Sequence, residues 1–98
     1  MSDDSALQAR RILITGVVQG VGYRWSMVQQ AQGLGLVGWV RNRRDGSVEA
    51  LAHGSNGALA VLIAWARIGP AGASVTQVHV AKEVAGEIFD GFVQRPTA

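Results

Sequence analysis

Two periodicities of apolar residues divide this chain into helices and strands. Apolar side chains recur every three or four residues from about Tyr23 to Leu34 and again between Ser55 and Gly69, which predicts two amphipathic helices. Runs of β-branched and other apolar residues predict four strands and a short final one. These strands are expected at residues 11–15, 37–43, 47–53 and 75–81 and at about 89–94.

The turns between these elements indicate the fold class. Asp45-Gly46 lies between two predicted strands, and this dipeptide is a strong signal for a tight β-hairpin. Gly33 and Gly35 mark the end of the first helix. The resulting order, β-α-β-β-α-β with one extra short strand, predicts an α+β fold in which two helices cover one face of an antiparallel sheet.

Length and composition predict one small cytoplasmic domain. The 98 residues suffice for one hydrophobic core, and the lack of cysteine excludes disulfides and thiolate metal sites. No secretory signal is visible, and no apolar run approaches the roughly 18–20 residues that span a bilayer. We therefore expect a single domain without a membrane partner. We also expect the protein to be a monomer, with a disordered extension at residues 1–9, the domain at residues 10–95 and a frayed tail at residues 96–98.

The basic residues are distributed unevenly. Net charge is only +2, which is too small to predict nucleic-acid binding from charge alone, but Arg41, Arg43 and Arg44 cluster beside Asn42. Three interpretations remain open: a solvated hairpin end, attraction of an anionic substrate to a nearby pocket, and nucleic-acid binding. The last is the least favoured, because no stacking aromatic residues alternate with these arginines.

A glycine-rich loop joins the first strand to the first helix. Gly16, Gly20 and Gly22 allow successive N–H groups to point at one anion, and the helix N-terminus adds partial positive charge. Arg24 follows, and its planar guanidinium can bind two phosphate oxygens. Gly22 is not followed by the residues of a Walker loop, and Trp25 stands where a dinucleotide fingerprint needs a third glycine. A plain strand-to-helix turn is the alternative.

Two stretches of the chain together resemble the signature of the acylphosphatase family. Residues 16–24 read GVVQGVGYR, and residues 38–42 read GWVRN, with DGSVE following at 45–49. The similarity extends over roughly residues 10–95. Two long motifs in this order and at this spacing are far more specific than either alone.

The resemblance implies a ferredoxin-like α/β sandwich that hydrolyses the carboxyl–phosphate bond of small-molecule acyl phosphates and releases inorganic phosphate, without a metal or cofactor. It places the phosphate-binding arginine at Arg24 and the water-positioning asparagine at Asn42. The implied phosphate-binding loop comprises Gly16, Val17, Val18, Gln19, Gly20, Val21, Gly22 and Tyr23. Val17 stands where the family often has a basic or polar side chain, and Tyr23 replaces the commoner Phe.

This chemistry requires few protein groups. The leaving carboxylate has a conjugate acid with a pKa of about 4, so no general acid is needed. Loop N–H groups and Arg24 are expected to stabilise the charge of a loose phosphoryl-transfer transition state, and Asn42 to hold the attacking water in line. The alternative is a non-catalytic, acylphosphatase-like anion-binding or accessory module, similar to the N-terminal part of hydrogenase-maturation carbamoyltransferases.

Other conspicuous residues receive structural interpretations. His53 and His79 have no second ligand at a metal-like spacing, so structural or surface roles are expected for them. Glu49 is expected to be the cross-strand partner of a neighbouring arginine. Gln19 either braces the loop or faces water. Three tryptophans are expected to pack in the core or at its edge: Trp25, Trp39 and Trp65.

Overall fold

The computed structural model describes residues 7–98 as a five-stranded sheet covered by two helices. The strands are β1 (Gln8–Val17), β2 (Val37–Asn42), β3 (Val48–Gly54), β4 (Ser74–Glu83) and β5 (Phe92–Gln94), and the helices are α1 (Tyr23–Gly33) and α2 (Asn56–Ala66). The strand order is β4-β1-β3-β2-β5. The first four strands pair antiparallel, and β5 pairs parallel with β2. The predicted ferredoxin-like fold is confirmed, and the extra strand makes the sheet mixed rather than wholly antiparallel.

Both helices pack on the same face of the sheet. Alternate residues of the strands point towards this face, as the two-residue period of a strand requires. The helices contribute residues at three- and four-residue spacing, as predicted from the sequence. The core formed between them includes Ile12, Ile14, Val40, Val48, Ala50 and Ala52 from the sheet and Met27, Val28, Ala31, Leu59, Leu62 and Ala66 from the helices.

The two longest strands extend beyond the predicted apolar runs. β1 and β4 have ten residues each and pair along almost their whole length. Polar pairs such as Arg10 opposite Lys82 continue the ladder where the apolar pattern stops. The predicted disordered extension 1–9 lies outside the described residues except at its end, where Gln8 and Ala9 already belong to β1.

The C-terminal tail runs beside the end of β2. The Ala98 N–H donates to the backbone oxygen of Asn42 at 3.0 Å, and the Arg44 N–H donates to the backbone oxygen of Ala98 at 3.1 Å. Within the tail predicted to fray, residues 96–98, Ala98 therefore forms two backbone hydrogen bonds next to a candidate site residue.

On the other face of the sheet, Glu49 is the centre of an arginine network. Its side chain is only 7% exposed. Its Oε2 accepts a hydrogen bond from Arg11 Nη1 at 2.7 Å. Its Oε1 accepts from Arg41 Nε at 2.8 Å and from Arg43 Nη1 at 3.2 Å. Arg41 lies directly opposite Glu49 in the β2–β3 ladder, so the predicted cross-strand pair is confirmed.

We expect the Glu49→Gln variant to be less stable, with a smaller pH dependence. Burial by itself favours the protonated acid, but the arginine hydrogen bonds outweigh it and hold the pKa of Glu49 below its ordinary value. Such a carboxyl contributes stability above its unfolded-state pKa, and that stability is lost as the pH falls through the lower folded-state pKa. Losing the charge should reduce the free energy of unfolding by about 1–3 kcal/mol near neutral pH. Urea unfolding near neutral pH and in acid measures both effects.

The matched control is Glu87→Gln, because Glu87 is 60% exposed and its contact with Arg95 is long, at 3.7 Å. An exposed pair of this kind contributes at most about 1 kcal/mol. Equal stability of Glu49→Gln and the wild type near neutral pH would contradict a stabilising role for the network.

The two histidines and three tryptophans lie in different environments. His53 is buried and its ring meets Phe89 edge-on at 4.9 Å, whereas His79 is exposed on β4. Trp39 is buried beneath arginine side chains, and Trp65 packs against Tyr23 at 5.3 Å. Trp25, in contrast, is exposed.

Candidate active site

Residues far apart in sequence enclose a cavity of about 110 Å³ at one edge of the sheet. Its wall is formed by Val18, Gly20, Gly22, Tyr23, Arg24, Trp25, Asn42 and Gln94. Six of these eight residues belong to the loop, arginine and asparagine that the sequence singled out. Trp25 and Gln94 were not predicted as site residues.

Topology brings Arg24 and Asn42 to the same cavity. β1 and β2 both pair antiparallel with β3, so they run in the same direction and their C-terminal ends lie at the same edge. α1 connects them in a βαβ unit, which places its N-terminus at that edge. Arg24 is the second residue of α1 and Asn42 is the last residue of β2. The two predicted residues are therefore brought together by the fold.

The loop presents a row of backbone donors. Within residues 7–98, none of the N–H groups of residues 18–22 donates to a backbone or side-chain acceptor. Gly20 and Gly22 have φ values of 76° and 78°, in the left-handed region that favours glycine. Successive N–H groups in such a bend can converge on one anion.

The start of α1 adds positive potential to the same place. Gly22 is the N-cap, no side chain caps the helix, and its first turn contains no acidic residue. Among the residues that line the cavity, Arg24 carries the only charge. Arg24 takes part in none of the salt bridges seen among residues 7–98. Backbone dipoles and guanidinium thus favour an anionic ligand.

The Asn42 side chain holds a buried acceptor. Its Oδ1 is inaccessible to solvent and receives no hydrogen bond from the residues that the structure describes. Leaving a buried acceptor unsatisfied costs about 1–3 kcal/mol. Asn42 also lines the cavity, so its carboxamide is placed to hydrogen-bond to a group that enters there.

Gln19 braces the loop against the β2–β3 hairpin. Its Nε2 donates to the backbone oxygen of Arg43 and to that of Ser47, both at 2.7 Å. The sequence left open whether Gln19 braces the loop or faces water, and the structure shows that it braces the loop. Gln19 does not line the cavity, but it fixes the loop to the residue that follows Asn42.

Four loop residues of the predicted set lie outside the cavity wall: Gly16, Val17, Gln19 and Val21. Gly16 and Val17 end β1 and pair with β4 beyond a register shift, and the Val17 side chain is 60% exposed. Val21 packs against the core.

Tyr23 lines the cavity and links the start of α1 to α2. Its ring is buried and its hydroxyl donates to the backbone oxygen of Ala66 at 2.7 Å. Burial raises the pKa of the Tyr23 phenol far above its ordinary value, so the group stays neutral and is not an acid–base catalyst.

The packing role expected for Trp25 is wrong, because its side chain is 62% exposed. The spacing of the buried residues along α1 indicates that position 25 is exposed. The buried stripe of α1 consists of Tyr23, Met27, Val28 and Ala31. Position 25 lies on the outer side of the helix from that stripe. Gln94 has no comparable signal, since it reaches the site through the pairing of β5 with β2.

The fold and the cavity define a small ferredoxin-like domain suited to an anion, and comparison with known proteins specifies the family. Residues 10–94 match the family model Acylphosphatase. An acylphosphatase from Acidovorax sp. (strain JS42) is 50% identical over 97 residues, which cover 99% of each chain. The structure of an acylphosphatase from Coxiella burnetii superposes with a TM-score of 0.87 at 34% identity, covering 91% of this chain and 93% of that chain.

A much larger protein contains the same fold. Full-length HypF superposes with a TM-score of 0.86 at 26% identity, and the match covers 95% of this chain but 12% of that chain.

The chain belongs to the acylphosphatase family. The resemblance inferred from the two motifs is confirmed, and with it the predicted class of enzyme, a hydrolase of acyl phosphates. No helix between residues 7 and 98 has the length and apolar character needed to cross a membrane. Across the same range, no three metal-ligating side chains form a cluster.

Proposed function

We propose that the chain hydrolyses acyl phosphates by in-line attack of a water molecule that Asn42 positions on a phosphoryl group bound by Arg24 and the loop backbone. The observation that supports this most strongly is the convergence of three features on one cavity. These are the backbone of Val18, Gly20 and Gly22, whose N–H groups have no protein acceptor among residues 7–98, the Arg24 guanidinium and the Asn42 carboxamide.

In this mechanism the protein supplies position and charge. The three outer phosphoryl oxygens accept hydrogen bonds from the loop N–H groups and from Arg24, which stabilises the charge spread over them in the transition state. The water oxygen bonds to phosphorus while the bond from phosphorus to the acyl oxygen breaks, and the carboxylate departs with the electron pair. The leaving group needs no proton at neutral pH. The water's proton passes to a phosphate oxygen.

Asn42 positions the attacking water molecule. A neutral carboxamide is not a base, but its oxygen accepts a hydrogen bond from water and so fixes the direction of attack. Asn42 ends β2 and Arg24 lies in the first turn of α1, and both residues line the cavity. In the proposed geometry, a water molecule held by Asn42 attacks the phosphoryl group on the side opposite the acyl oxygen.

Hydrolysis of benzoyl phosphate in water enriched in ¹⁸O tests the proposed reaction. Attack at phosphorus places the label in inorganic phosphate, whereas attack at the carbonyl carbon places it in benzoate. Label in benzoate, or no hydrolysis by the purified protein, would contradict the proposal.

Replacing Gln19 with methionine should lower kcat/KM for benzoyl phosphate about tenfold, because small displacements of positioning groups are costly in catalysis. Methionine keeps the length of the side chain but cannot donate to the backbone oxygens of Arg43 and Ser47. The control is Gln29→Met, since Gln29 is exposed on α1. Steady-state kinetics with thermal unfolding measures the effect. Unchanged kcat/KM in Gln19→Met would show that the brace is dispensable.

The second candidate, a non-catalytic accessory module, is favoured by the likeness to a segment of HypF, which was solved in a phosphate- and nucleotide-bound form. Such a module predicts anion binding without turnover, so the hydrolysis assay separates it from the enzyme.

We also propose that the protein acts as a cytoplasmic monomer on a small molecule rather than on nucleic acid. Two arginines of the cluster beside Asn42 are engaged by Glu49, which supports a structural role for them over contacts with a phosphodiester backbone. The cytoplasmic assignment rests on the cysteine-free composition.

A further inference from the structure

We propose that the indole of Trp25 forms the subsite for the acyl group and gives the enzyme a preference for acyl phosphates with an aromatic or large apolar acyl group. This inference rests on the proposed function and deepens it. It assigns a specificity-determining residue and a chemical class of substrate to the same site.

The size of the cavity places the acyl group at its mouth. Pockets that enclose a whole drug-sized ligand measure roughly 300–1,000 Å³. The cavity beside Arg24 measures about 110 Å³, and in the proposed function it holds the phosphoryl group. A benzoyl or longer acyl group therefore extends out of the cavity along the protein surface.

Trp25 is the group that such an extension meets. Four residues of the cavity wall are exposed: Gly20, Gly22, Trp25 and Gln94. Two of them have no side chain, and Gln94 is polar. Trp25 follows Arg24 directly and is 62% exposed, so it supplies a large apolar surface next to the phosphate-binding cation.

The Trp25 ring is also free to accept a stacked partner. In the part of the chain from 7 to 98, Trp39 lies beneath guanidinium groups and Trp65 packs against Tyr23, but no aromatic ring or guanidinium packs on Trp25. Aromatic pairs add stabilisation beyond the apolar area that they bury. A phenyl ring on the substrate gains this contact, and the methyl group of acetyl phosphate is too small to do so.

The first test compares kcat/KM for benzoyl phosphate and acetyl phosphate in the wild type, Trp25→Ala and Trp25→Phe. We expect the benzoyl-to-acetyl ratio to fall about three- to tenfold in Trp25→Ala and to stay within about twofold of the wild type in Trp25→Phe, which keeps an aromatic face. The control is Val61→Ala, because Val61 is likewise exposed on a helix, at 53%, and lies away from the cavity wall. Its ratio should not change.

The second test measures binding without turnover. Calorimetry should show that the wild type binds phenylphosphonate more tightly than methylphosphonate. The ratio of the two dissociation constants should fall about three- to tenfold in Trp25→Ala. A ratio that stays at the wild-type value in Trp25→Ala, in kinetics and in binding, overturns the inference. A Trp25-dependent binding preference without hydrolysis of either acyl phosphate supports the subsite but overturns the proposed reaction.

Discussion

The Asn42→Ala variant is expected to hydrolyse benzoyl phosphate with a kcat about 10²–10³-fold below that of the wild type, which is the size of effect seen when one preorganised hydrogen-bonding group is removed from an active site. The reason is that the variant cannot accept the hydrogen bond that holds water behind phosphorus. Arg24 and the loop N–H groups remain, so KM should change little. Inorganic phosphate should still inhibit competitively, with an inhibition constant near that of the wild type.

The same variant should fold normally, which separates a catalytic role from a structural one. Oδ1 of Asn42 receives no hydrogen bond from the described residues, so its removal leaves none of their donors unsatisfied. Asn56→Ala is the matched control, because Asn56 is the other asparagine of the chain and begins α2 away from the cavity. Near-wild-type kcat in Asn42→Ala would show that another group positions the water.

The Arg24→Gln variant is expected to lose more, because both binding and turnover depend on the guanidinium. Arginine residues that stabilise charge in phosphoryl transfer contribute roughly 10³–10⁵-fold to the rate. We expect kcat/KM to fall by about 10³-fold or more, with KM raised and kcat lowered, and phosphate inhibition to weaken in parallel. Steady-state kinetics with phosphate as inhibitor measures all three.

Two further variants define what the guanidinium contributes. Arg24→Lys keeps the charge but loses the planar pair of donors, so its activity should lie between those of Arg24→Gln and the wild type. Arg67→Gln is the control for loss of one positive charge, since Arg67 is exposed at the end of α2. If Arg24→Gln raised KM without lowering kcat, Arg24 would bind substrate and transition state equally.

Local patterns were sufficient to predict most of the fold. The periodicity of Tyr23–Gly33 and Asn56–Ala66 reflects one buried face of each helix, and the Asp45-Gly46 turn fixes the pairing of β2 with β3. Each of these signals is contained in a short stretch of sequence. The apolar runs predict strands shorter than β1 and β4, because pairing between the two strands continues through polar residues that have no apolar signal.

Part of the candidate site could likewise be predicted from the sequence, and part of it could not. Arg24 and Asn42 lie in contiguous motifs, and the parallel direction of β1 and β2 brings those motifs together. Gln94 reaches the cavity through the pairing of β5 with β2. The pairing of a three-residue strand depends on the whole fold, so the sequence around Gln94 could not reveal it.

Trp25 and Gln19 show the limit of reasoning from residue type alone. Tryptophan is usually packed, but its position on the outer side of α1 exposes it. Glutamine in a loop is usually solvated, yet Gln19 reaches two backbone oxygens of the neighbouring hairpin. In both cases the direction of the side chain decides its role.

A titration of ¹⁵N-labelled protein with inorganic phosphate, followed by amide NMR, tests most directly whether the loop backbone and Arg24 form a phosphate-binding site. The amide signals of residues 18–22 and the side-chain amide of Asn42 should shift together, with one dissociation constant, in the wild type. The loop signals should shift likewise in Asn42→Ala and only weakly in Arg24→Gln. Phosphate-induced shifts confined to other parts of the molecule, or loop shifts that do not depend on Arg24, would contradict a phosphoryl site built from this backbone and this cation.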